Sequence, residues 1–239
     1  MAKIMGNCKD MITASQLETL NKLQAKGDDI TSKQKSERTR LQKKYDNKPE
    51  FDLSEGAKTY IRGVVKMEVY DYKIQIENKQ LTKGTICEQD SIDLYNEVFF
   101  TKHEKNTVRV FGKYLQGECD VNAKDKIQDY KTSWTKDTFP VLPDEINIGG
   151  YEWQGRGYMM LYNKPKFELV YCLVDTPDEL LEWENNLSLH HVDDIEPELR
   201  ITSIMFDRDL EKERLIEHKV TECRRYANWY KEQIAKKFE

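Results

Sequence analysis

The chain has 239 residues, with 38 basic and 43 acidic side chains and a formal net charge of −5; that length can bury a sizeable core. Charged residues make up 34 % and hydrophobic ones 38 %, against a usual charged share of about 25 %, so a modest core under a heavily charged surface is expected. No apolar run approaches the roughly 18 residues that cross a bilayer, residues 1–7 lack the apolar stretch of a signal peptide, and five scattered cysteines without a C-x-x-C pair argue against a zinc ribbon or a disulfide framework and for free thiols in a reducing cytoplasm.

Residues 10–48 read as helical, with Leu17, Leu20, Leu23, Ile30 and Leu41 as apolar positions. Nine basic residues against four acidic ones lie between Lys22 and Lys48. Lys33, Lys35, Arg38 and Arg40 form either a solvated helical face or an arm that touches phosphate backbone. Pro49 ends this segment, and Ser54 reads as the cap of a helix over 55–70. Alternation predicts a strand over 73–77. Ile92, Leu94, Tyr95, Val98 and Phe99 predict a helix with Glu88 in its first turns.

Strands are expected over 107–111, 115–121 and 126–131, the last two joined by the polar turn Asn122-Ala123-Lys124-Asp125 as a hairpin. A helix over 151–162 follows, then the most apolar stretch of the chain, 167–174, as a buried central strand. Thr176-Pro177-Asp178-Glu179 predicts another helix start. A strand over 200–207 and a long helix over 210–238 close the chain. This order implies one α/β domain over 1–239: a mixed central β-sheet flanked by helices, with an N-terminal helical arm and a long C-terminal helix.

The hairpin carries the chemistry. Asp129 and Lys131 are two apart, so they share one face of their strand with Ile127, while Gln128 and Tyr130 point the other way. A short turn can bring Asp120 opposite Asp129, within reach of one divalent cation. Hard oxygen ligands suit Mg²⁺ or Mn²⁺, and a cation there would favour attack of water on a phosphodiester. A lysine beside the ligands can orient or deprotonate that water, and a third acid from another element would complete the cage.

Asp120-x8-Asp129-x-Lys131, followed by Thr132-Ser133, resembles the PD-(D/E)XK nuclease signature of RecB-like nucleases. Gly84-x3-Glu88 resembles the first acidic motif of the phage λ exonuclease and YqaJ-type viral recombinase group, and Gln154-x3-Tyr158 resembles that superfamily's Q-x3-Y motif. The likeness covers about 80–180 well and the flanks loosely. It implies that Glu88, Asp120 and Asp129, with the carbonyl of Tyr130, hold Mg²⁺ or Mn²⁺ in a one- or two-ion site. Lys131 would position or activate the attacking water. Gln154 and Tyr158 would bond the ligand shell and a DNA phosphate, and Thr132 and Ser133 the substrate backbone.

Each position also has a plainer reading. Asp90, Asp93 and Glu97 compete with Glu88, Gln154 and Tyr158 can simply pack, Asp120 can be a solvated turn acid, and Asp129 with Lys131 a surface ion pair. The four histidines fit no metal-ligand spacing. The aromatic-basic run 224–231 suits a single-strand binder or, better, a helix packing its aromatics on the core.

The resemblance implies a metal-dependent exonuclease of phage or mobile-element origin. It would act 5′ to 3′ on linear duplex DNA in the host cytoplasm, without an iron-sulfur cluster or a membrane partner. A ring-shaped homotrimer and a single-strand annealing protein are the implied associations. The comparable segment 2–7 begins too late to include the group's Arg- and Ser-containing stretch: either the sequence is shortened there, or end recognition differs and uses Lys3 or the basic arm. A PD-(D/E)XK endonuclease, and a silent DNA-binding or anti-defence protein on the same scaffold, are the alternatives.

Overall fold

The computed structural model describes residues 1–76 and 78–238. Thr13 and Thr31 each form a reciprocal cap with the glutamine three residues on, starting α1 (Ala14–Ala25) and α2 (Ser32–Asp46). The expected single helix over 10–48 is therefore two, broken where Gly27 takes a φ of +60°. Ser54 caps α3 (Glu55–Val69). Residues 73–76 of the expected strand form no regular element, and Glu77 lies outside the described residues. Asn78, accepting from two backbone N–H groups, starts α4 (Lys79–Ile86), and α5 (Glu88–Phe99) follows directly.

The strands are β1 (Val110–Phe111), β2 (Gln116–Gly117), β3 (Val121–Asn122), β4 (Lys126–Thr132), β5 (Lys166–Cys172) and β6 (Ile201–Asp207), with α6 (Gly149–Tyr162) between β4 and β5 and α7 (Leu210–Ala235) at the end. β1 and β2 make an antiparallel ribbon; the main sheet runs β3-β4-β5-β6, with β4 and β5 parallel and the other pairs antiparallel. A parallel pair needs a crossover, and α6 supplies it. The expected strand over 115–121 is split. Asn106 Nδ2 donates to the Cys119 carbonyl at 3.0 Å, and the Cys119 N–H donates to Tyr162 Oη at 3.4 Å, so side chains take groups a ladder would have used. The helix expected after Pro177 is also absent, apart from a 3₁₀ turn at Asp178–Leu180. There Asp175 Oδ1 accepts from Val192 N at 2.6 Å, and Thr176 N donates to the His190 carbonyl.

Two compact units emerge: Met1–Ala2 with Lys73–Ile216, and Lys3–Tyr72 with Glu217–Glu239. In the first, the sheet is covered on both faces. Ile92, Leu94 and Tyr95 of α5 pack on Val121, Tyr130, Val170 and Cys172; Met159 of α6 packs with Ile127, Phe167 and Leu169 on the other side. In the second, Phe51, Leu53, Ala57, Ile61 and Val65 bury against Tyr226, with Trp229 and Tyr230 beside them, so the aromatics of 224–231 serve as core. Among the described residues, no helix is long and apolar enough to cross a membrane.

Candidate active site

β4 alternates as a pleat requires. Its Ile127, Asp129 and Lys131 face α6, and Gln128, Tyr130 and Thr132 face α5. Pairing of Val121 with Gln128 sets Asp120 one step on, beside Asp129, and Asp120 Oδ2 accepts the Tyr130 N–H at 2.6 Å. Asp129 is 2 % exposed. Its Oδ1 accepts from Gln154 Nε2 at 3.1 Å, and the same amide nitrogen donates to Tyr158 Oη at 3.2 Å. Its Oδ2 is ion-paired with Lys131 Nζ at 2.5 Å. The ammonium of Lys131 lies over the Tyr151 ring, 5.0 Å from its centroid.

Two carboxyls are thus forced together with little water. Burial, then the Asp129 charge, push the Asp120 carboxyl up to about 7, against the Tyr130 N–H and Lys131; Glu88 adds to the rise. Burial raises Asp129 as well, with Lys131 pulling back and Glu88 again adding. Burial alone would lower Lys131, but Asp129 and Asp120 outweigh it and raise it. Glu88, at the start of α5, acts on both aspartates through its charge while its own carboxylate pairs with Lys105 at 3.2 Å.

The other expected positions divide. Gln154 and Tyr158 lie one turn apart on α6; Gln154 reaches Asp129, and Tyr158 accepts from the Gln154 amide. Thr132 stands on the opposite face, its hydroxyl 3.0 Å from Ser91 Oγ. Ser133 is buried, its N–H bonded to the Cys172 carbonyl and its hydroxyl unpartnered. In the second unit, Arg38 donates to the Gly27 carbonyl at 2.6 Å and Arg40 grips Glu37 with two hydrogen bonds, whereas Lys33 and Lys35 are exposed.

Sequence reading missed Lys83. It is fully buried, and its amine donates to the carbonyls of Ser133 and Trp134 at 2.8 and 3.1 Å, anchoring the chain just beyond β4. Burial pulls this amine down to about 8. No spacing rule announces a lysine that bonds backbone 50 residues away.

Against solved structures, the chain is similar to a phage-related exonuclease from Haemophilus somnus 129PT, at 23 % identity and a TM-score of 0.76, covering 97 % of this chain and 92 % of that one. An alkaline exonuclease from Laribacter hongkongensis aligns at 13 % identity and a TM-score of 0.53, over 77 % of this chain and 87 % of that one. The same enzyme in complex with dAMP aligns at 14 % and 0.50, over 95 % and 94 %. The chain shares the fold of these exonucleases. No family model and no curated protein matches the chain.

In this fold, the donor set fits a hard divalent cation. Its oxygens are carboxylates, and burial, with the charges of Asp129 and Glu88 on Asp120 and of Glu88 on Asp129, holds both aspartates raised, a cost that a hard cation would offset. Asp120, Asp129 and the Tyr130 carbonyl would hold it, with Glu88 alongside. As the side chains stand, no three His, Cys, Asp or Glu groups among the described residues are gathered closely enough to ligate an ion.

Proposed function

We propose that the chain is a divalent-metal-dependent exodeoxyribonuclease that degrades linear duplex DNA 5′ to 3′ and leaves single strands for recombination, with a single-strand annealing protein as partner. The carrying observation is the convergence of Asp120, Asp129, Lys131 and Gln154 at one pocket, within a fold shared with solved exonucleases. A bound Mg²⁺ or Mn²⁺ would lower the pKa of a water and stabilise charge on the phosphorane-like transition state. Gln154 fixes the orientation of the Asp129 carboxylate. Lys131, held as an ammonium by both aspartates, orients the water and offsets charge on a non-bridging oxygen. In-line attack then expels the 3′ alkoxide and leaves a 5′ phosphate.

The test sets end-labelled linear duplex beside a covalently closed circle, in Mg²⁺, in Mn²⁺ and in chelator, with Asp129→Ala alongside. The linear substrate should be digested only with metal and only by the unaltered chain, 5′ label leaving first, and the circle should survive. Digestion in chelator would overturn the metal assignment, and a nicked circle would make the chain an endonuclease. DNA bound but never cut would leave a binding protein.

A further inference from the structure

Beside the aspartates, within the first unit, lies an open cavity of about 310 Å³. One wall is α6, where Gln154, Tyr158 and Leu161 recur at helical spacing; the other is the β1–β2 ribbon with Arg109, Leu115 and Gln116. The walls meet closely: a Cβ on Gly117 would stand 2.9 Å from the Tyr158 ring. Arg109, immediately before β1, is exposed and forms no hydrogen bond or ion pair among the described residues. A guanidinium is the side chain best matched to a phosphate. This volume sits at the low end of small-molecule sites, about 300–1,000 Å³, which suits one nucleotide unit and not a duplex. Leucines offer a surface for sugar or base, and two amides and a phenol offer polar contacts. Because Gln154 lines this cavity and also donates to Asp129, and Tyr158 beside it accepts from the same amide, an occupant here adjoins the bond at which Asp129 and Lys131 act. Met1 and Glu118 also line the cavity; the Glu118 carboxylate repels a phosphate, so Arg109 must outweigh it.

We propose that this cavity receives the nucleotide adjoining the cut phosphodiester, with Arg109 meeting its phosphate; this rests on the nuclease reading above. The experiment compares the unaltered chain with Arg109→Ala, Arg109→Lys and Leu115→Trp. It measures kcat and KM on linear duplex, and equilibrium affinity in chelator across a salt series. Arg109→Ala should raise KM roughly tenfold with kcat within about twofold, and reduce the slope of log affinity against log salt by about one. Arg109→Lys should restore that slope, since a point charge remains. Leu115→Trp, which fills the cavity, should raise KM while leaving the thermal midpoint in place. If the unaltered chain cuts DNA and Arg109→Ala matches it in KM and slope, the subsite is wrong and the nuclease reading stands. A fall in kcat alone would also overturn the subsite, and an unaltered chain that cuts nothing would overturn both.

Discussion

Asp120 sits where one backbone N–H holds it and a second carboxyl opposes it. Its folded pKa of about 7 lies above the unfolded value of about 3.9. Its contribution to stability is therefore complete below pH 4 and is lost as the pH rises through 7, because the folded state must give up a proton it holds more tightly. Asp120→Asn keeps an acceptor for the Tyr130 N–H and removes the repulsion. In chelator it should unfold at nearly the unaltered midpoint at pH 4 and several degrees higher at pH 8. One pKa unit is worth about 1.4 kcal/mol, water at the partly exposed carboxyl takes back part of it, and about 2–4 °C accompanies each kcal/mol in a chain this long. Thermal melts across pH check this, and an equal difference at both ends of the range would refute it. The pairing of Asp129 with Lys131 on one strand face was legible because the period of a strand is two. The Glu88–Lys105 pair was not, since a loop without periodicity sets where Lys105 lies; nor was Arg109, without a partner among the described residues, because only Val110–Phe111 of the strand expected over 107–111 forms and Arg109 lies before it.

At the scale of elements, α6 lies so near β5 that only a glycine fits between them. A Cβ on Gly155 would be 2.0 Å from the Phe167 ring, which is itself fully buried. Gly155 follows Gln154, so this approach sets how far the amide stands from Asp129. Gly155→Ala would gain about 0.5–1 kcal/mol of helix propensity but should lose about 1–3 kcal/mol to overpacking, for a lower midpoint and a several-fold lower kcat. Phe167→Leu in the same chain should return part of both losses, as a double-mutant cycle would record. A midpoint that rises in Gly155→Ala would show that the helix does not rest on that ring. Elements with strong periodicity or caps were readable in advance: α3, α5, α6, β4, β5 and β6. Failures came where side chains took over backbone hydrogen bonds, as Asn106 and Tyr162 do around Cys119 and Asp175 does at Val192. The buried network around Glu168, whose carboxylate accepts from Tyr95, Lys126, Gln128 and Ser203, was equally hidden. Gln128 is legible as inward-facing, but its partner arrives on a parallel strand 40 residues later.

Over the whole molecule, a chain of net charge −5 can approach DNA only if its cations are concentrated where the phosphates pass. The run from Lys22 to Lys48 concentrates them in sequence, and the structure divides their tasks. Arg38 and Arg40 spend their donors on Gly27 and Glu37, so replacing them perturbs the α1–α2 connection or the α2 surface as well as the charge. Lys33 and Lys35 are exposed, and their ammonium groups are available to phosphate. The pair Lys33→Gln and Lys35→Gln should leave the thermal midpoint within about 1 °C, because exposed substitutions away from such contacts cost little. Each phosphate contact adds about 0.9 to the magnitude of the slope of log affinity against log salt. If the arm lies on DNA, the double variant should reduce that magnitude by about two and weaken binding mostly at low salt, with kcat on saturating linear duplex unchanged. Anisotropy titrations between 50 and about 200 mM salt, the range over which such contacts fade, read the slope directly. A slope unchanged in the double variant would return α2 to an ordinary solvated helix, and the cations that meet DNA would then have to be found elsewhere in the chain.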